Sequence, residues 1–406
     1  MIKISRRNFL VASSLSSVSL LSQPKDPKKV PLNPLQKTPL SSSHDPWIEL
    51  NLKNMSWNLN QVRKLVKVPV MAVIKANAYG HGLIEIGKHL EKIGIDYLMV
   101  GKLQEALLLR NSGVSVPILN FGSFTPEEED EIVQSDLSQS VFTEAVLSLS
   151  RAALRLGRKA KIHIHIDTGM GRMGIPYHQA LPFLEKVFSL KGLEIEGAST
   201  TLTEDDEFDR EQLRRFLRLC REAESKGISL GLKHAASSDG MLDLPSSRLD
   251  MVRPGIALYG YYPSEKTQQE DRLGLKPVLQ LKSRVVSVKA LRPGDSLSYH
   301  RKYTAKNQEK IAIIPLGYSE GYPPNAVNKA SVLIRGERHP LIAAITANHC
   351  LALLKENSSV SAGDEVVLLG LQGKERITAE ALASWTGISV YRVLIGLNPL
   401  LPRAAV

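Results

Sequence analysis

A lysine stands at the end of a buried strand pattern. The segment AVIKANAYGHG, residues 72–82, places Lys75 directly after an apolar run. A charged amine in such a place is costly unless it is solvated, paired or chemically used. A lysine whose pKa is lowered there can form a Schiff base with a carbonyl compound. The position alone leaves a solvent-exposed or ion-paired structural lysine as the alternative.

Eight short apolar runs alternate with helix-like segments from about residue 46 to residue 262. Repeated βα units with near-continuous apolar strands are typical of a parallel sheet, and eight of them predict a (β/α)8 TIM-type barrel. Such barrels carry their chemistry at the carboxyl ends of the strands, where Lys75 lies. The predicted strands are Met71–Lys75, Tyr97–Gly101, Pro117–Gly122, Ser138–Val141, Lys161–Asp167, Leu193–Ser199, Leu232–Ser238 and Met251–Gly260.

The chain changes character after about residue 270. Strands rich in Val, Ile and Leu are separated there by Gly-Asp turns at Gly294 and Gly363, which is typical of an antiparallel sheet. We therefore predict an α/β barrel over residues 46–265 and a mostly antiparallel β domain over residues 266–406. A signal segment over residues 1–22 and a linker over residues 23–45 precede them.

The signal segment resembles a twin-arginine export signal. Residues 5–10 read SRRNFL, and a serine-rich apolar run follows from Val11 to Leu21. This run is shorter than the roughly 20 residues of a membrane-spanning helix, so we expect no stable membrane span after signal removal. The signal predicts export, to the periplasm, and suits an enzyme that acquires its cofactor in the cytoplasm.

Composition narrows the function classes. The net charge is +11, from 52 basic and 41 acidic residues, but the basic residues are spread along the chain rather than gathered in a block. This pattern favours a solvated basic surface over nucleic-acid binding. Only Cys220 and Cys350 are present, so no disulfide framework is expected, and no metal site is predicted.

Three further motifs follow the lysine segment in order. They read HIDTGMGRMG over residues 165–174, RPGIALYG over residues 253–260 and LGYSEGYP over residues 316–323. Together the four motifs resemble the alanine racemase family, and the resemblance runs from about Trp47 to Arg403. It implies a pyridoxal 5'-phosphate enzyme with a barrel followed by a β domain, which agrees with the organisation read from the strand pattern.

The resemblance implies two proton carriers. Lys75 would hold the cofactor covalently and act as one of them, and Tyr299 would be the other. Inversion at Cα needs an acid and a base on opposite faces of the substrate. In the family the tyrosine comes from the second subunit, so the resemblance also implies a homodimer with shared active sites and an amino-acid substrate.

The resemblance also assigns binding residues. The expected phosphate ligands are Tyr79, Ser238, Tyr391 and the backbone amides of Gly255 and Ile256. Arg253, supported by His234, would face the pyridine nitrogen, and its permanent charge would leave that nitrogen unprotonated. The residues expected near the substrate are Arg172, which would also approach the cofactor's phenolic oxygen, the gatekeeper Tyr318, and Ala347 through its backbone amide.

Several positions depart from the family pattern. His165 stands where many members have a carbamylated lysine, and a neutral imidazole cannot supply that negative charge, so we expect chloride or another anion there. The remaining departures are Thr201 for a histidine that stacks on the cofactor, Ser237 for an asparagine, Ala347-Asn348 for a Met-Asp pair, and His300 for a glycine.

These departures leave the substrate open. The leading prediction is a racemase that interconverts L- and D-alanine, or a broader set of amino acids, by two-base proton transfer. The alternatives are a catalytically impaired, exported homologue that still binds pyridoxal phosphate, and an amino-acid decarboxylase of related fold. Tyr299 favours racemisation over decarboxylation.

Overall fold

A computed structural model describes residues 46–406. The predicted signal segment and linker lie outside the described residues. In chain order the strands are β1 Trp47–Leu50, β2 Met71–Val73, β3 Tyr97–Val100, β4 Ile118–Asn120, β5 Ser138–Val141, β6 Ala160–Asp167, β7 Ile175–Pro176, β8 Leu193–Ser199, β9 Leu232–His234, β10 Leu279–Arg284, β11 Ser287–Leu291, β12 Ser296–Leu297, β13 Tyr303–Thr304, β14 Glu309–Ile314, β15 Ser331–Ile334, β16 Glu337–Ile342, β17 Cys350–Leu354, β18 Glu365–Gln372, β19 Glu375–Ile377 and β20 Arg403–Ala405. The helices are α1 Leu52–Val66, α2 Lys75–Tyr79, α3 Leu83–Lys92, α4 Leu103–Asn111, α5 Glu129–Gln134, α6 Val146–Arg155, α7 Ala180–Phe188, α8 Asp206–Ser225, α9 Ser238–Asp243, α10 Glu265–Glu270, α11 Ala379–Thr386 and α12 Val390–Ile395.

Seven parallel strands form the barrel wall in the order β2-β3-β4-β5-β6-β8-β9, which confirms the predicted fold class. The prediction of an eighth strand over Met251–Gly260 is wrong. Val252 makes a single parallel bridge to Val70, and the chain then turns through the 3-10 helix Ile256–Tyr259. Pro254 explains the break, because proline has no N–H to donate to a sheet ladder.

Hydrogen bonds of this eighth segment nevertheless close the barrel. On one side Met71 N donates to Val252 O at 2.8 Å, and on the other Arg253 N donates to Ala236 O at 2.8 Å. The segment therefore joins the first and last strands of the wall. As a result, Arg253 and Gly255 lie beside the carboxyl ends of β2 and β9.

Amphipathic helices cover the barrel. In α3 the side chains of Leu83, Ile86 and Leu90 recur at helical spacing and are buried. Full burial of such a side chain contributes about 1.5–3 kcal/mol. Asp205 caps α8 by accepting a hydrogen bond from Phe208 N. Apolar side chains at helical spacing thus hold α3 against the barrel, and a polar cap marks the start of α8.

The β domain is built on a sheet in the order β11-β14-β17-β16-β15-β18-β10-β1-β20, with mostly antiparallel pairs. Its β1 pairs antiparallel with β10 and parallel with β20. The first strand of the described chain therefore belongs to the β-domain sheet, although it lies within the range predicted for the barrel. The strand before α1 thus ties the barrel to the β domain.

Within residues 46–406, no helix is both long enough and apolar enough to cross a membrane.

Candidate active site

Lys75 begins an unusual left-handed turn. Ala76, Asn77 and Ala78 have φ near +53° with positive ψ, and Tyr79 has φ +51°. Each non-glycine residue in this conformation costs roughly 1–2 kcal/mol. Strain of this kind persists only where surrounding contacts hold it and is common at functional sites.

Glu105, on α4, holds this turn in place. Its carboxylate accepts hydrogen bonds from Asn77 N at 3.1 Å and from Gly101 N at 3.0 Å. Asn77 Oδ1 in turn accepts from Leu83 N at 2.8 Å, at the start of α3. The ends of β2 and β3 are thereby fixed to each other, and the Lys75 side chain is aimed from a rigid base.

The environment of Lys75 lowers the pKa of its amine. The side chain is open to solvent at the barrel mouth, but the surrounding protein removes much of its hydration and lowers its pKa. The positive charges of Arg172 and Arg253 lower the pKa further, and only Glu105 opposes them. A lysine in this setting is suited to nucleophilic and base chemistry.

A set of hydroxyl and amide groups converges beside this turn. Ser238 Oγ, at the start of α9, accepts hydrogen bonds from Gly255 N at 3.0 Å and from Ala257 N at 3.3 Å. Ile256 lies between those two amides and begins a 3-10 helix. We call Tyr79, Ser238 and the 255–257 backbone the Ser238 cradle. Backbone amides at such turns are suited to binding a phosphate group.

Tyrosines complete the cradle. The ring centroids of Tyr79 and of Tyr391, on α12, lie 6.0 Å apart. Burial is the main reason that the pKa of both phenols is raised, so both remain proton donors at neutral pH. Gly80, with φ +82°, lets α12 approach, because a Cβ there would lie 2.0 Å from Leu394 O.

We expect Gly255→Ala to weaken cofactor binding about tenfold or more, which corresponds to roughly 1.4 kcal/mol. A Cβ at this position would lie 2.6 Å from Tyr79 Oη, so the phenol must shift. Titration of the apoprotein with pyridoxal phosphate, followed by absorbance, measures the affinity. In the double variant with Tyr79→Phe the two losses should be less than additive, because the clashing oxygen is gone. Strict additivity would contradict the steric explanation.

Arg253 is buried and held by four acceptors. Its Nη1 donates to His234 Nδ1 and His234 O, each at 2.7 Å, and its Nη2 donates to Thr200 O at 2.8 Å and Ala235 O at 3.0 Å. Burial lowers the pKa of the guanidinium to about 10, so it remains charged at neutral pH. The side chain is a fixed cation at the carboxyl end of the barrel wall.

His165 lies within β6, two residues before its end at Asp167, and Arg172 follows in the loop after the strand. Asp167 shapes the loop to Arg172 by accepting hydrogen bonds from Gly169 N at 2.9 Å and Gly171 N at 3.1 Å. His165 is buried and contacts Ser199 Oγ at 3.0 Å. Burial, reinforced by Arg253 and Arg172, lowers the pKa of His165 to about 3. The imidazole is therefore neutral and supplies no negative charge beside Arg172.

Asp239 lies next to the cradle, directly after Ser238. Its pKa is raised to about 6, first by burial and then by the nearby carboxylates of Glu204 and Asp243. Because the folded-state pKa exceeds the usual value of about 3.9, the native state binds this proton more tightly. The resulting stability is present below about pH 4 and is lost as the pH rises through about 6.

We therefore expect Asp239→Asn to raise the melting temperature by roughly 2 °C or more at pH 8. The gain should be much smaller at pH 4.5, where wild-type Asp239 is mostly protonated. Calorimetry of both proteins at the two pH values checks this. An equal change at both pH values would show that charge at this position is not the cause.

The β domain carries the other predicted residues. Tyr299 is 77% exposed and lies in a strained turn in which Ser298, His300 and Arg301 all have positive φ. Tyr318 is also exposed, and its N–H donates to Thr346 O at 3.0 Å. Ser298, Tyr299 and Thr346 line one cavity of about 400 Å³. Ala347 follows Thr346 directly, so the loops of Tyr299, Tyr318 and Ala347 are neighbours.

Three of the positions that depart from the family pattern make hydrogen bonds with nearby residues. Asn348 Nδ2 donates to Ser319 Oγ at 2.6 Å and to Glu320 Oε1 at 3.1 Å. Ser237 caps α9 by accepting from Asp239 N at 3.2 Å. Thr201 O accepts from Gln212 Nε2 at 3.0 Å. Asn348 thus joins the Tyr318 loop to the Ala347 loop.

The structure divides the predicted residues into two groups. The barrel strand ends and α12 gather those predicted for the cofactor, namely Lys75, Tyr79, Arg172, His234, Ser238, Arg253, Gly255, Ile256 and Tyr391. The β domain holds Tyr299, Tyr318 and Ala347. Glu105 and Asn77 were missed in the sequence, although Asn77, two residues after the lysine, is a residue type that tolerates positive φ.

The barrel group fits pyridoxal phosphate. In the Ser238 cradle, Ser238 Oγ accepts hydrogen bonds from the Gly255 and Ala257 amides and keeps its own O–H to donate to a phosphate, and Gly255 has no Cβ to displace Tyr79 Oη. Lys75 offers an amine with a lowered pKa, and Arg253 a fixed cation. These groups match the aldehyde, phosphate and ring nitrogen of that cofactor.

Comparisons with known proteins agree along the length of the chain. The family description "Alanine racemase, N-terminal domain" matches residues 50–263, and "Alanine racemase, C-terminal domain" matches residues 278–405. The alanine racemase of Methanococcus maripaludis is 36% identical over 369 residues, which cover 89% of this chain and 98% of that protein.

Solved structures give the same answer. The alanine racemase of Clostridium difficile 630 superposes with a TM-score of 0.85 at 33% identity, covering 90% of this chain and 96% of that one. Its complex with cycloserine superposes with a TM-score of 0.83 at 31% identity, with the same coverage. On both the family descriptions and the identity over most of its length, the chain belongs to the alanine racemase family.

Proposed function

We propose that this protein is a pyridoxal-phosphate-dependent racemase that interconverts L- and D-alanine. The observation that carries the proposal is the Lys75 amine, whose pKa is lowered by burial and by Arg172 and Arg253 and which begins the turn that ends at Tyr79 of the Ser238 cradle. Relatives named alanine racemase that match nearly the whole chain support it.

Each residue receives a role in this proposal. Bound pyridoxal phosphate supplies the electron sink that stabilises negative charge at Cα. Lys75 Nζ removes or returns the Cα proton on one face, and Tyr299 Oη does so on the other. Arg172 pairs with the substrate carboxylate, while Tyr318 and the Ala347 amide border the substrate.

The cofactor contacts are shared among the remaining residues. The phosphate would be held by Tyr79, Tyr391, Ser238 and the amides of Gly255 and Ile256. Arg253 would interact with the pyridine nitrogen and, because it stays charged, would leave that nitrogen unprotonated. His234 orients Arg253 through the 2.7 Å contact between Nδ1 and Nη1.

Deuterium exchange tests the reaction. Purified protein with pyridoxal phosphate is mixed with L- or D-alanine in deuterated water, and NMR and chiral chromatography follow the Cα hydrogen and the enantiomer. We expect exchange together with formation of the opposite enantiomer from either side. Bound cofactor without exchange in any amino acid would refute racemisation, and carbon dioxide release would identify a decarboxylase.

The same assay measures the substrate range. Ala347 has a small side chain, and Asn348 donates hydrogen bonds to Ser319 and Glu320, so we propose that substrates with side chains larger than methyl are also accepted. A panel that includes serine, methionine, lysine and arginine distinguishes an alanine-specific enzyme from a broader racemase.

We also propose that the protein is exported through the twin-arginine route to the periplasm. The support is the SRRNFL motif, with its two arginines Arg6 and Arg7. Changing both arginines to lysine should retain the protein in the cytoplasmic fraction, whereas the unaltered chain should reach the periplasm. Equal distribution of the two would refute this route.

A further inference from the structure

A line of polar side chains runs through the barrel interior, behind the predicted cofactor site. Arg253 Nη1 lies 2.7 Å from His234 Nδ1, and His234 Nε2 lies 2.9 Å from His163 Nδ1. His163 Nε2 then lies 3.7 Å from Glu196 Oε2. We call these four residues the axial relay. Its arginine and both histidines are buried.

The donors and acceptors of the relay are fixed from one end. Arginine only donates, so His234 Nδ1 must accept, and the His234 proton is on Nε2. That proton is donated to His163 Nδ1, so the His163 proton is on Nε2 and faces Glu196. Burial and the charge of Arg253 hold the pKa of His234 well below its usual value. His234 therefore transmits orientation while remaining neutral.

Glu196 provides the negative end of the relay. It accepts hydrogen bonds from Tyr97 Oη at 2.7 Å and from Ser138 Oγ at 2.5 Å. Burial alone would raise its pKa, but His163, Ser138 and Tyr97 together hold the pKa at about 2. The carboxylate is therefore charged at every working pH, and it is the acceptor that the His163 proton faces.

Local packing keeps room for this arrangement. A Cβ at Gly197, next to Glu196 on β8, would lie 2.5 Å from His163 Nδ1. The His163 ring therefore lies directly against the β8 backbone. Its Nε2 stands beyond normal hydrogen-bond length from Glu196, so charge and orientation, rather than a short hydrogen bond, couple the two groups.

We propose that Glu196 is a positioning residue for the racemase reaction, acting through His163 and His234 on the orientation of Arg253. The proposal rests on the proposed function for its kinetic part. Glutamine at position 196 removes the negative charge that favours a proton on His163 Nε2, so the His163 tautomer with its proton on Nδ1 becomes more populated. His163 and His234 would then point N–H groups at each other. Their repulsion would disturb the hydrogen bond from Arg253 Nη1 to His234 Nδ1.

Glu196→Gln in the full-length holoenzyme tests the proposal. We expect kcat for alanine to fall about tenfold, which corresponds to about 1.4 kcal/mol of transition-state stabilisation, with KM within about twofold of wild type. NMR of isotope-labelled histidine should show altered ring-nitrogen signals for His163 and His234, assigned from His163→Gln. Glu196→Asp, which keeps the charge, should fall between wild type and Glu196→Gln in both measurements.

Glu194→Gln is the matched control. It removes the same charge from the same strand at an exposed position, and it should leave kcat and the histidine signals unchanged. If Glu196→Gln lowers only the melting temperature, with wild-type kcat and histidine signals, Glu196 is merely structural and the proposal is wrong. If Glu196→Gln does not fold, Glu196→Asp must show both changes for the proposal to stand.

The two measurements separate this inference from the proposed function. Altered histidine signals in a protein that racemises no amino acid would support the relay and refute the racemase assignment. Racemisation with histidine signals unaffected by Glu196→Gln would support the racemase assignment and refute the relay.

Discussion

Lys75→Ala is expected to abolish racemisation, with a loss of at least about a thousandfold, because it removes one of the two proton carriers and the covalent anchor together. Without the Lys75 amine, the protein holds pyridoxal phosphate only through noncovalent contacts, chiefly at the Ser238 cradle. The visible absorbance of cofactor joined to a lysine should therefore disappear, while weaker binding remains. Absorbance spectra and Cα exchange in deuterated water measure both effects.

Lys102 offers a matched control on the next strand. It stands two residues after the end of β3, as Lys75 stands two residues after the end of β2, and it is also exposed. Lys102→Ala should keep both the absorbance and the activity. If Lys75→Ala retained the absorbance, another amine would be the anchor and the assignment of Lys75 would be wrong.

The sequence was sufficient to predict the barrel because its evidence is local. Short apolar runs alternate with amphipathic helices, and seven of the eight predicted strands pair in parallel as expected. The eighth could not be predicted as a bridge, because an apolar run reads as a strand even when Pro254 interrupts its ladder. The partner of β1 was equally invisible, since its neighbour β10 lies more than 200 residues away along the chain.

The site was predictable in residue types but less so in backbone shape. Local propensity opposes four successive left-handed residues in Ala76–Tyr79, and the contact that helps to hold them comes from Glu105, far along the chain. The positive φ of His300 could not be predicted either. A glycine at this position would have indicated such a turn, whereas a histidine does not. The spacing of His163 and His165 on β6 indicates that both side chains lie on one face of the strand, because side chains alternate along a strand with a period of two.

Tyr299→Phe is expected to lower racemisation roughly a hundredfold to ten-thousandfold, because it removes the proton carrier on one face only. Lys75 still serves the other face. Exchange of the Cα hydrogen with solvent should therefore persist for one enantiomer and be lost for the other. Tyr303→Phe is the control in the same hairpin, since its hydroxyl donates to Glu309 and it has no proposed part in proton transfer. Equal loss of exchange for both enantiomers would contradict a one-face role for Tyr299.

Mixing inactive variants determines which subunit supplies Tyr299. If the tyrosine acts across a homodimer interface, a hybrid of one Lys75→Ala subunit and one Tyr299→Phe subunit has one site with both groups intact. Random pairing of equal amounts makes half of the dimers hybrid, so the mixture should recover about one quarter of wild-type activity. If the tyrosine acts within its own subunit, both sites of every hybrid are defective and no activity returns. The 77% exposure of Tyr299 in the single chain favours the first outcome, because a proton carrier must be shielded by the site that it serves.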